Sequence, residues 1–278
     1  MPRVPPSVGY PLFAMLGDLA WRVAPAERRR LERNLGWILR LRGEEHKLDA
    51  SVRAAFRNLL WGYYELFRLP TTPPEKVREA GRFEGLHHLD AARGARSGSI
   101  VVFAHVGNLE VICQAALLRP DQRFAVVIEG MPDEHVHALF RRLRSSQGIE
   151  TVRADRPLSL VRRFREGANL VICGDLTTTS SGMVVDVFGR PALVPYGAAK
   201  LALRYSAPLM VVAGWRESIR TPDRFHVRLS EPLELSGDAN DRQEVCRAVT
   251  RVVAHLENVI DAQPWQWLAF RDVWEEAA

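Results

Sequence analysis

The sequence predicts an α/β fold in which a mixed central sheet carries helices on both faces, preceded by a helical N-terminal segment. Residues 1–75 follow helical periodicity, and from about residue 98 short β-branched runs alternate with amphipathic stretches. The chain has 278 residues, of which 47% are hydrophobic, so it can bury a substantial core. We therefore expect a helical extension over 1–75 and a single α/β unit over 76–278.

The first helical pattern covers residues 10–23 and carries an apolar stripe, to which Phe13 and Trp21 add aromatic side chains. Asp18 and Arg22 interrupt the run, which is shorter than the ~20 apolar residues of a spanning helix. Its residues favour a helix that lies in a bilayer interface, and an ordinary helix packed on the core is the alternative. The stripe consists of Leu12, Leu16, Leu19, Ala20 and Val23, and it is followed by four arginines, Arg28, Arg29, Arg30 and Arg33.

The second helical pattern covers residues 51–69 and ends at the prolines of 71–74, because proline cannot continue a helix. Downstream, strands are predicted at 99–104, 123–129, 149–153, 169–173, 183–188, 208–215 and 225–229. Helices are predicted at 108–118, 133–146, 158–166, 197–205 and 242–261.

Charge and cysteine usage limit the possible partners. The net charge is +5, which fits an anionic partner such as phospholipid, a phosphorylated cofactor or nucleic acid. The arginines are dispersed and no array of stacking aromatic residues accompanies them, so nucleic acid has little support. Three cysteines lie far apart without a CxxC pair, and the motifs of dinucleotide, P-loop, zinc-protease and serine-hydrolase sites are missing from the sequence.

The segment from Ala104 to Glu110 is the most informative part of the sequence. His105 follows an apolar strand, and Gly107 permits a sharp turn before the next helix. Across such a turn, Glu110 could point back to the imidazole, fix its tautomer and stabilise its protonated form. His105 is therefore a candidate general base. A capped helix start with a satisfied histidine is the alternative.

This segment resembles the His-x4-Asp/Glu block of the bacterial lipid A biosynthesis acyltransferases and the related phosphatidylinositol mannoside acyltransferases, within the lysophospholipid acyltransferase-like superfamily. The resemblance covers most of the chain, because further blocks follow in the order and spacing of that family. These blocks are Arg33-Asn34-Leu35, Phe140-Arg141-Arg142-Leu143-Arg144, Arg156, Gly174-Asp175, residues 182–189, residues 194–202 and Pro264-Trp265-Gln266-Trp267.

The resemblance implies transfer of a fatty acyl chain from acyl-CoA or acyl carrier protein to a hydroxyl of a membrane lipid or glycolipid. In that reaction His105 would be the base and Glu110 would orient it. Arg144 and Arg156 would suit phosphate groups of the substrates. Asp175 follows the strand predicted at 169–173 and is expected to have a further role in the site. A thioester is already activated, so we expect neither a metal nor another cofactor.

The acceptor that the resemblance implies lies in a membrane, and acyl thioesters are made in the cytoplasm. We therefore expect a peripheral or monotopic protein at the cytoplasmic face of the inner membrane, bound through the helix at 10–23. A non-catalytic, membrane-associated lipid-binding protein on the same fold is the alternative. Retention of both His105 and Glu110 favours the enzyme.

Overall fold

The computed structural model describes residues 4–92, 97–128, 133–176 and 182–274. The α-helices in these ranges are α1 (Pro6–Val23), α2 (Pro25–Leu41), α3 (Leu48–Arg68), α4 (Pro74–Ala80), α5 (Leu109–Ala116), α6 (Glu134–Ser145), α7 (Pro157–Arg165), α8 (Gly197–Tyr205) and α9 (Arg242–Ala262). The strands are β1 (Gly81–Glu84), β2 (Ile100–Gly107), β3 (Phe124–Ile128), β4 (Glu150–Arg153), β5 (Asn169–Cys173), β6 (Met183–Val187), β7 (Arg190–Val194), β8 (Leu209–Ser218) and β9 (Thr221–Leu229).

Seven strands form the main sheet, in the order β1-β9-β8-β2-β5-β3-β4. Neighbouring strands are parallel except for the β8–β9 hairpin, which is antiparallel. Strands β6 and β7 form a separate antiparallel hairpin. The prediction of a mixed central sheet is confirmed.

Strand β2 lies at the centre of this sheet and contacts a hydrophobic cluster on each face. Ile100 and Val102 belong to a cluster shared with α2, α3, α8 and α9. Val101 and Phe103 belong to a second cluster, shared with α5. Successive side chains of a strand point to opposite faces, so helices cover both sides of the sheet, as predicted.

The N-terminal helices pack directly on this architecture. Helices α2 and α3 bury Leu35 and Phe56 in the same cluster as β2. Helix α1 packs on α3 in turn, with Phe13 against Tyr64. The two helices approach closely because Gly17 has no side chain: a Cβ there would lie 2.7 Å from the Cα of Arg57. The division at residue 75 stays a prediction.

The outer face of α1 is apolar and exposed. Leu19 is 54% exposed and Val23 is 68% exposed, and Val8, Leu12, Met15 and Leu16 are also exposed. Phe13 lies on the opposite, buried face, so placing it with the apolar stripe was wrong; Trp21 is half-buried against the core. None of the helices in the described ranges has the length and hydropathy needed to cross a bilayer.

Two strands were not predicted from the sequence, and several elements begin or end at residues other than those predicted. Strand β1 has only four residues at the edge of the sheet, and β7 contains Pro191, a residue that argues against a strand in sequence patterns. Strand β2 continues three residues beyond the predicted end, because Val106 bridges to Trp267 and Gly107 pairs with Gly214. Strand β5 and helix α8 have the predicted bounds.

Candidate active site

His105 occupies the predicted strand–turn–helix junction, which is confirmed. It lies near the end of β2, and Asn108 caps α5 by accepting a hydrogen bond from the Glu110 amide at 2.9 Å. Gly107 between them has a φ of 70°, and a Cβ there would lie 1.8 Å from the carbonyl oxygen of Gly214. Only glycine therefore fits at this turn.

Asp175 is the carboxylate that contacts the ring of His105. Its Oδ1 lies 2.9 Å from Nδ1 of His105, while its Oδ2 accepts hydrogen bonds from the His105 amide at 3.0 Å and from Nε1 of Trp267 at 2.8 Å. The Asp175 side chain is 3% exposed and that of His105 is 38% exposed. The imidazole is thus anchored at Nδ1 while part of the ring remains open to solvent.

The parallel pairing of β2 with β5 explains this contact. Phe103 lies opposite Cys173 in the sheet, so the residues two positions further along both strands meet at the same edge. Carboxyl ends of adjacent parallel strands are where α/β sheets build their sites. Asp175 was predicted to belong to the site, but its contact with His105 was not, because the order of the strands was unknown.

Glu110, which the sequence suggested as the orienting carboxylate, has a different partner. It is buried and forms an ion pair with Arg144 of α6, with Arg144 Nε 3.2 Å from Oε2 of Glu110. Nδ1 of His105, which an orienting carboxylate would contact, is already bonded to Asp175. The predicted contact between Glu110 and the ring is therefore wrong: on the first turn of α5, Glu110 instead forms its ion pair with α6.

The two predicted phosphate-binding arginines lie in different environments. Arg144 is buried, pairs with Glu110 and lines the groove beside His105. Arg156 is exposed, precedes α7 and does not belong to that lining among the described residues. The structure therefore brings Arg144 to His105 but leaves Arg156 outside the groove. Phosphate binding by either residue stays a prediction.

An open groove of about 480 Å³ exposes His105. Its walls come from α3, α6, the turn after β2 and the segment after Trp267. Apolar lining residues include Leu59, Tyr63, Phe103, Ile128, Phe140 and Phe270. The polar and charged lining residues include His105, Asn108, Glu110, Arg144 and Arg271. The groove thus joins a polar reactive end to an apolar wall.

The ion pairs set the charge states in the site. Burial opposes charge on His105, but Cys173 and the Asp175 carboxylate outweigh it and raise the pKa of the imidazole well above its ordinary value. Burial favours a neutral Asp175, yet the imidazole and the indole N–H hold the pKa of that carboxyl below its usual range. Burial likewise opposes charge on Arg144, but Glu110 raises its pKa, so the guanidinium stays charged.

Cys173 lies beside the His105–Asp175 pair, and the sequence analysis gave it no role. Its Sγ lies 3.2 Å from Asp175 Oδ1 and 3.5 Å from His105 Nδ1, and among the described residues these three side chains form the group that could hold a metal ion. Burial raises the pKa of the Cys173 thiol, although His105 opposes the shift. The Cys173 thiol is thus a further hydrogen-bonding neighbour of the carboxylate that binds His105.

The chain resembles one family of known proteins over nearly its whole length. The sequence profile described as "Bacterial lipid A biosynthesis acyltransferase" matches residues 2–276. A protein named phosphatidylinositol mannoside acyltransferase from Mycobacterium tuberculosis is 34% identical over 160 residues, 55% of this chain and 50% of that protein. The protein of the same name from Mycolicibacterium smegmatis is 27% identical over 233 residues, 81% of this chain and 73% of that protein. The match thus spans half the length of the M. tuberculosis relative. The family resemblance seen in the sequence is confirmed, and the chain belongs to the bacterial lipid A biosynthesis acyltransferase family.

Proposed function

We propose that the protein is an O-acyltransferase that moves a fatty acyl chain from acyl-CoA or acyl carrier protein to a hydroxyl of a membrane lipid or glycolipid. The observation that carries the proposal is the His105–Asp175 pair, which faces a groove with one polar end and an apolar wall. The names of the relatives from Mycobacterium tuberculosis and Mycolicibacterium smegmatis support an acceptor of the phosphatidylinositol mannoside class.

In this reaction Nε2 of His105 accepts the proton of the acceptor hydroxyl while Nδ1 donates to Asp175. The hydroxyl oxygen forms a bond to the thioester carbonyl carbon, the carbon–sulfur bond breaks, and the proton on Nε2 passes to the leaving thiolate. The buried Asp175 stabilises the transient imidazolium. The proposed reaction requires no cofactor, because the thioester is already activated and the enzyme need only align the reactants and move one proton.

The negative charge on the carbonyl oxygen needs a donor, for which the turn amides and a nearby arginine are the candidates. The Asn108 amide already donates to the Gly214 carbonyl at 3.4 Å. The Arg144 guanidinium lines the groove and carries a fixed charge. We therefore assign the oxyanion to the side of the groove that Arg144 occupies.

An apolar cavity of about 40 Å³ lies deeper along the same strands as the groove and supports a donor with an alkyl chain. Val101 and Val171 line the cavity, two residues before the groove residues Phe103 and Cys173 on β2 and β5. Its lining is entirely apolar, so it suits the end of an acyl chain.

Peripheral binding at the cytoplasmic face of the inner membrane is the location we propose. The exposed apolar face of α1 can enter the acyl boundary of a bilayer, while basic residues nearby attract anionic head groups. Three of the four arginines predicted for this role also pair with acidic residues: Arg28 with Glu32, Arg30 with Glu27 and Asp272, and Arg33 with Asp272. Such surface pairs are weak, so the arginines remain available to lipid phosphates.

The membrane proposal is tested by sedimentation with phosphatidylglycerol vesicles. We expect Leu16→Ser/Leu19→Ser to pellet less than the unaltered chain, and binding to weaken as salt rises. Substituting the exposed Val184 of β6 to serine is the matched control, since it removes apolar surface elsewhere. Equal pelleting of all three proteins would exclude α1 as the docking surface.

The reaction is tested with radiolabelled palmitoyl-CoA and, in a parallel arm, palmitoyl-acyl carrier protein, each with phosphatidylinositol mannoside vesicles. Label in the glycolipid that depends on His105 supports the transferase. Donor cleavage without transfer would indicate a thioesterase. Donor binding with neither reaction would indicate the lipid-binding alternative.

A further inference from the structure

A buried polar network that sequence analysis did not detect lies behind the catalytic turn. Its centre is Arg216 of β8, whose side chain is 1% exposed. Two of its nitrogens donate to Glu65 of α3, from Nη1 to Oε1 at 2.6 Å and from Nη2 to Oε2 at 2.9 Å. Its Nε donates to Oδ1 of Asn58 at 2.7 Å. An ion pair so deeply buried adds little net stability to the fold, because removing both charges from water is costly. Its role lies instead in the residues that it positions.

The network ends on the residues that follow His105. Nδ2 of Asn58 donates to the Gly107 carbonyl at 2.7 Å, and Nδ2 of Asn108 donates to Glu65. Asn108 in turn caps α5 through the Glu110 amide. The main-chain turn that fixes the direction of His105 is therefore held from behind by Glu65 and Asn58.

A second branch reaches Asp175. Gln266 exchanges two hydrogen bonds with the main chain of Arg216, at 2.8 and 2.9 Å. The next residue, Trp267, donates to Asp175, and the amide of Leu268 donates to the His105 carbonyl at 2.7 Å. The network thus contacts the supports of both members of the His105–Asp175 pair.

The third branch leads out to helix α1. The hydroxyl of Tyr10 donates to Oε1 of Glu65 at 2.7 Å, and its ring packs edge-on against Tyr64. Burial, and next the Glu65 carboxylate, raise the pKa of Tyr10 well above its ordinary value, so the phenol remains a donor. Tyr10 lies on the buried face of α1, whereas Leu16 and Leu19 lie on its exposed face.

We propose that Tyr10 couples α1 to the catalytic turn through Glu65, so that docking of the apolar face of α1 at a lipid surface stabilises the arrangement of residues 105–110. The inference rests on the proposed function, because it concerns the same site and the same docking helix. In this reading Tyr10 and Glu65 are positioning residues. The protein is then more active at a lipid surface because residues 105–110 are better ordered there, and not only because the acceptor is concentrated there.

The experiment compares Tyr10→Phe with Tyr64→Phe in the full chain. Each removes one hydroxyl from the interface between α1 and α3, but the Tyr64 hydroxyl donates to the Val4 carbonyl, outside the network. Amide hydrogen exchange of residues 105–112 is measured with and without vesicles of phosphatidylglycerol and phosphatidylethanolamine. We expect Tyr10→Phe to exchange about tenfold faster there, the effect of one hydrogen bond to a charged group, and to lose the slowing by vesicles. Tyr64→Phe is expected to behave as the unaltered chain.

Kinetics supply the second readout. With palmitoyl-CoA, Tyr10→Phe should lower kcat about tenfold with KM unchanged, because it does not line the groove. Combined with Asn108→Ser, which keeps an α5 cap but loses the donor to Glu65, the loss should be less than additive. Equal exchange in both tyrosine variants, or additive losses, would overturn the coupling. If the unaltered chain transfers no acyl group while the exchange difference persists, the proposed function fails and the coupling stands.

Discussion

Asp175 and Glu110 are both buried near the catalytic turn, and they differ in what they contact. Asp175 holds an imidazole, a group that can gain and lose a proton. Glu110 holds the Arg144 guanidinium, which cannot lose its proton. Their side chains are similarly buried, at 3% and 6% exposure. The partner therefore decides whether a carboxylate takes part in proton transfer or fixes a positive charge.

The largest effect is expected for His105→Ala. Removing a positioned base typically lowers the rate by ~10²–10⁴. The variant leaves the buried Asp175 without the imidazole, so its unfolding temperature should fall, but Asp175 keeps its bonds to the main-chain amide and to Trp267, so the variant should still fold. Transfer assays and thermal unfolding measured together check both statements. Full activity in a folded variant would remove His105 from the mechanism.

Asp175→Asn is expected to follow, with a loss of about 10²-fold in kcat. An amide presents one oxygen and one NH₂ group where Asp175 presents two acceptors. If the NH₂ group faces Nδ1, it imposes the wrong imidazole tautomer; if it faces the other way, it meets the N–H groups of His105 and Trp267. A kcat within twofold of the unaltered chain would contradict this role.

The pH profile separates this role from a structural one. Since Asp175 raises the pKa of His105, kcat/KM should rise with pH through a value above that of an ordinary histidine. Without the negative charge of Asp175, the imidazole loses its proton more easily. The rise of kcat/KM should therefore occur at lower pH in Asp175→Asn. If the rise of kcat/KM occurs at the same pH in Asp175→Asn as in the unaltered chain, another group titrates there.

A double variant sharpens the comparison between the two carboxylates. The sequence predicted that His105 and Glu110 act as one unit, and the structure transfers that expectation to His105 and Asp175. His105→Ala/Asp175→Asn should be little worse than His105→Ala alone, because the pair acts together. If the losses in kcat/KM of the two single variants add in the double variant, His105 and Asp175 do not act as one unit.

Glu110→Ala is expected to act first on folding. It leaves the buried Arg144 charge without its partner, and breaking a buried pair typically costs ~3–5 kcal/mol in the free energy of unfolding. Denaturant titration measures this loss, with Glu150→Ala as a control in a surface ion pair. A stable variant with the activity of Asp175→Asn would return Glu110 to the role that the sequence suggested.

The smallest effects concern the arginines. Arg144→Lys keeps the charge at the groove but loses the forked contact to Glu110, so we expect a severalfold fall in kcat with little change in KM for palmitoyl-CoA, because the oxyanion forms only in the transition state. Arg156→Ala should change KM by less than about twofold, because it lies outside the groove lining. A larger rise for Arg156→Ala would restore the phosphate contact predicted from sequence.

Local patterns were sufficient for most of the fold. The bounds of β5 and α8 were predicted correctly from the β-branched run and from the run of small residues, because each segment buries one continuous apolar surface. The short edge strand β1 and the proline-containing β7 were missed, since their pairing depends on partners distant in the chain. The polar network around Arg216 carried no sequence signal either, because its residues are far apart in the chain, on α1, α3, β8, the turn after β2 and the segment after α9.

The sequence by itself determined the strand–turn–helix at His105, the glycine that the turn requires and the apolar face of α1. These features depend on backbone sterics and on periodicity within a few residues. Tertiary structure alone decided which carboxylate serves His105. That choice follows from β5 lying beside β2 in the sheet, which brings Asp175 to the imidazole across 70 residues of chain, while Glu110, five residues away, pairs with Arg144.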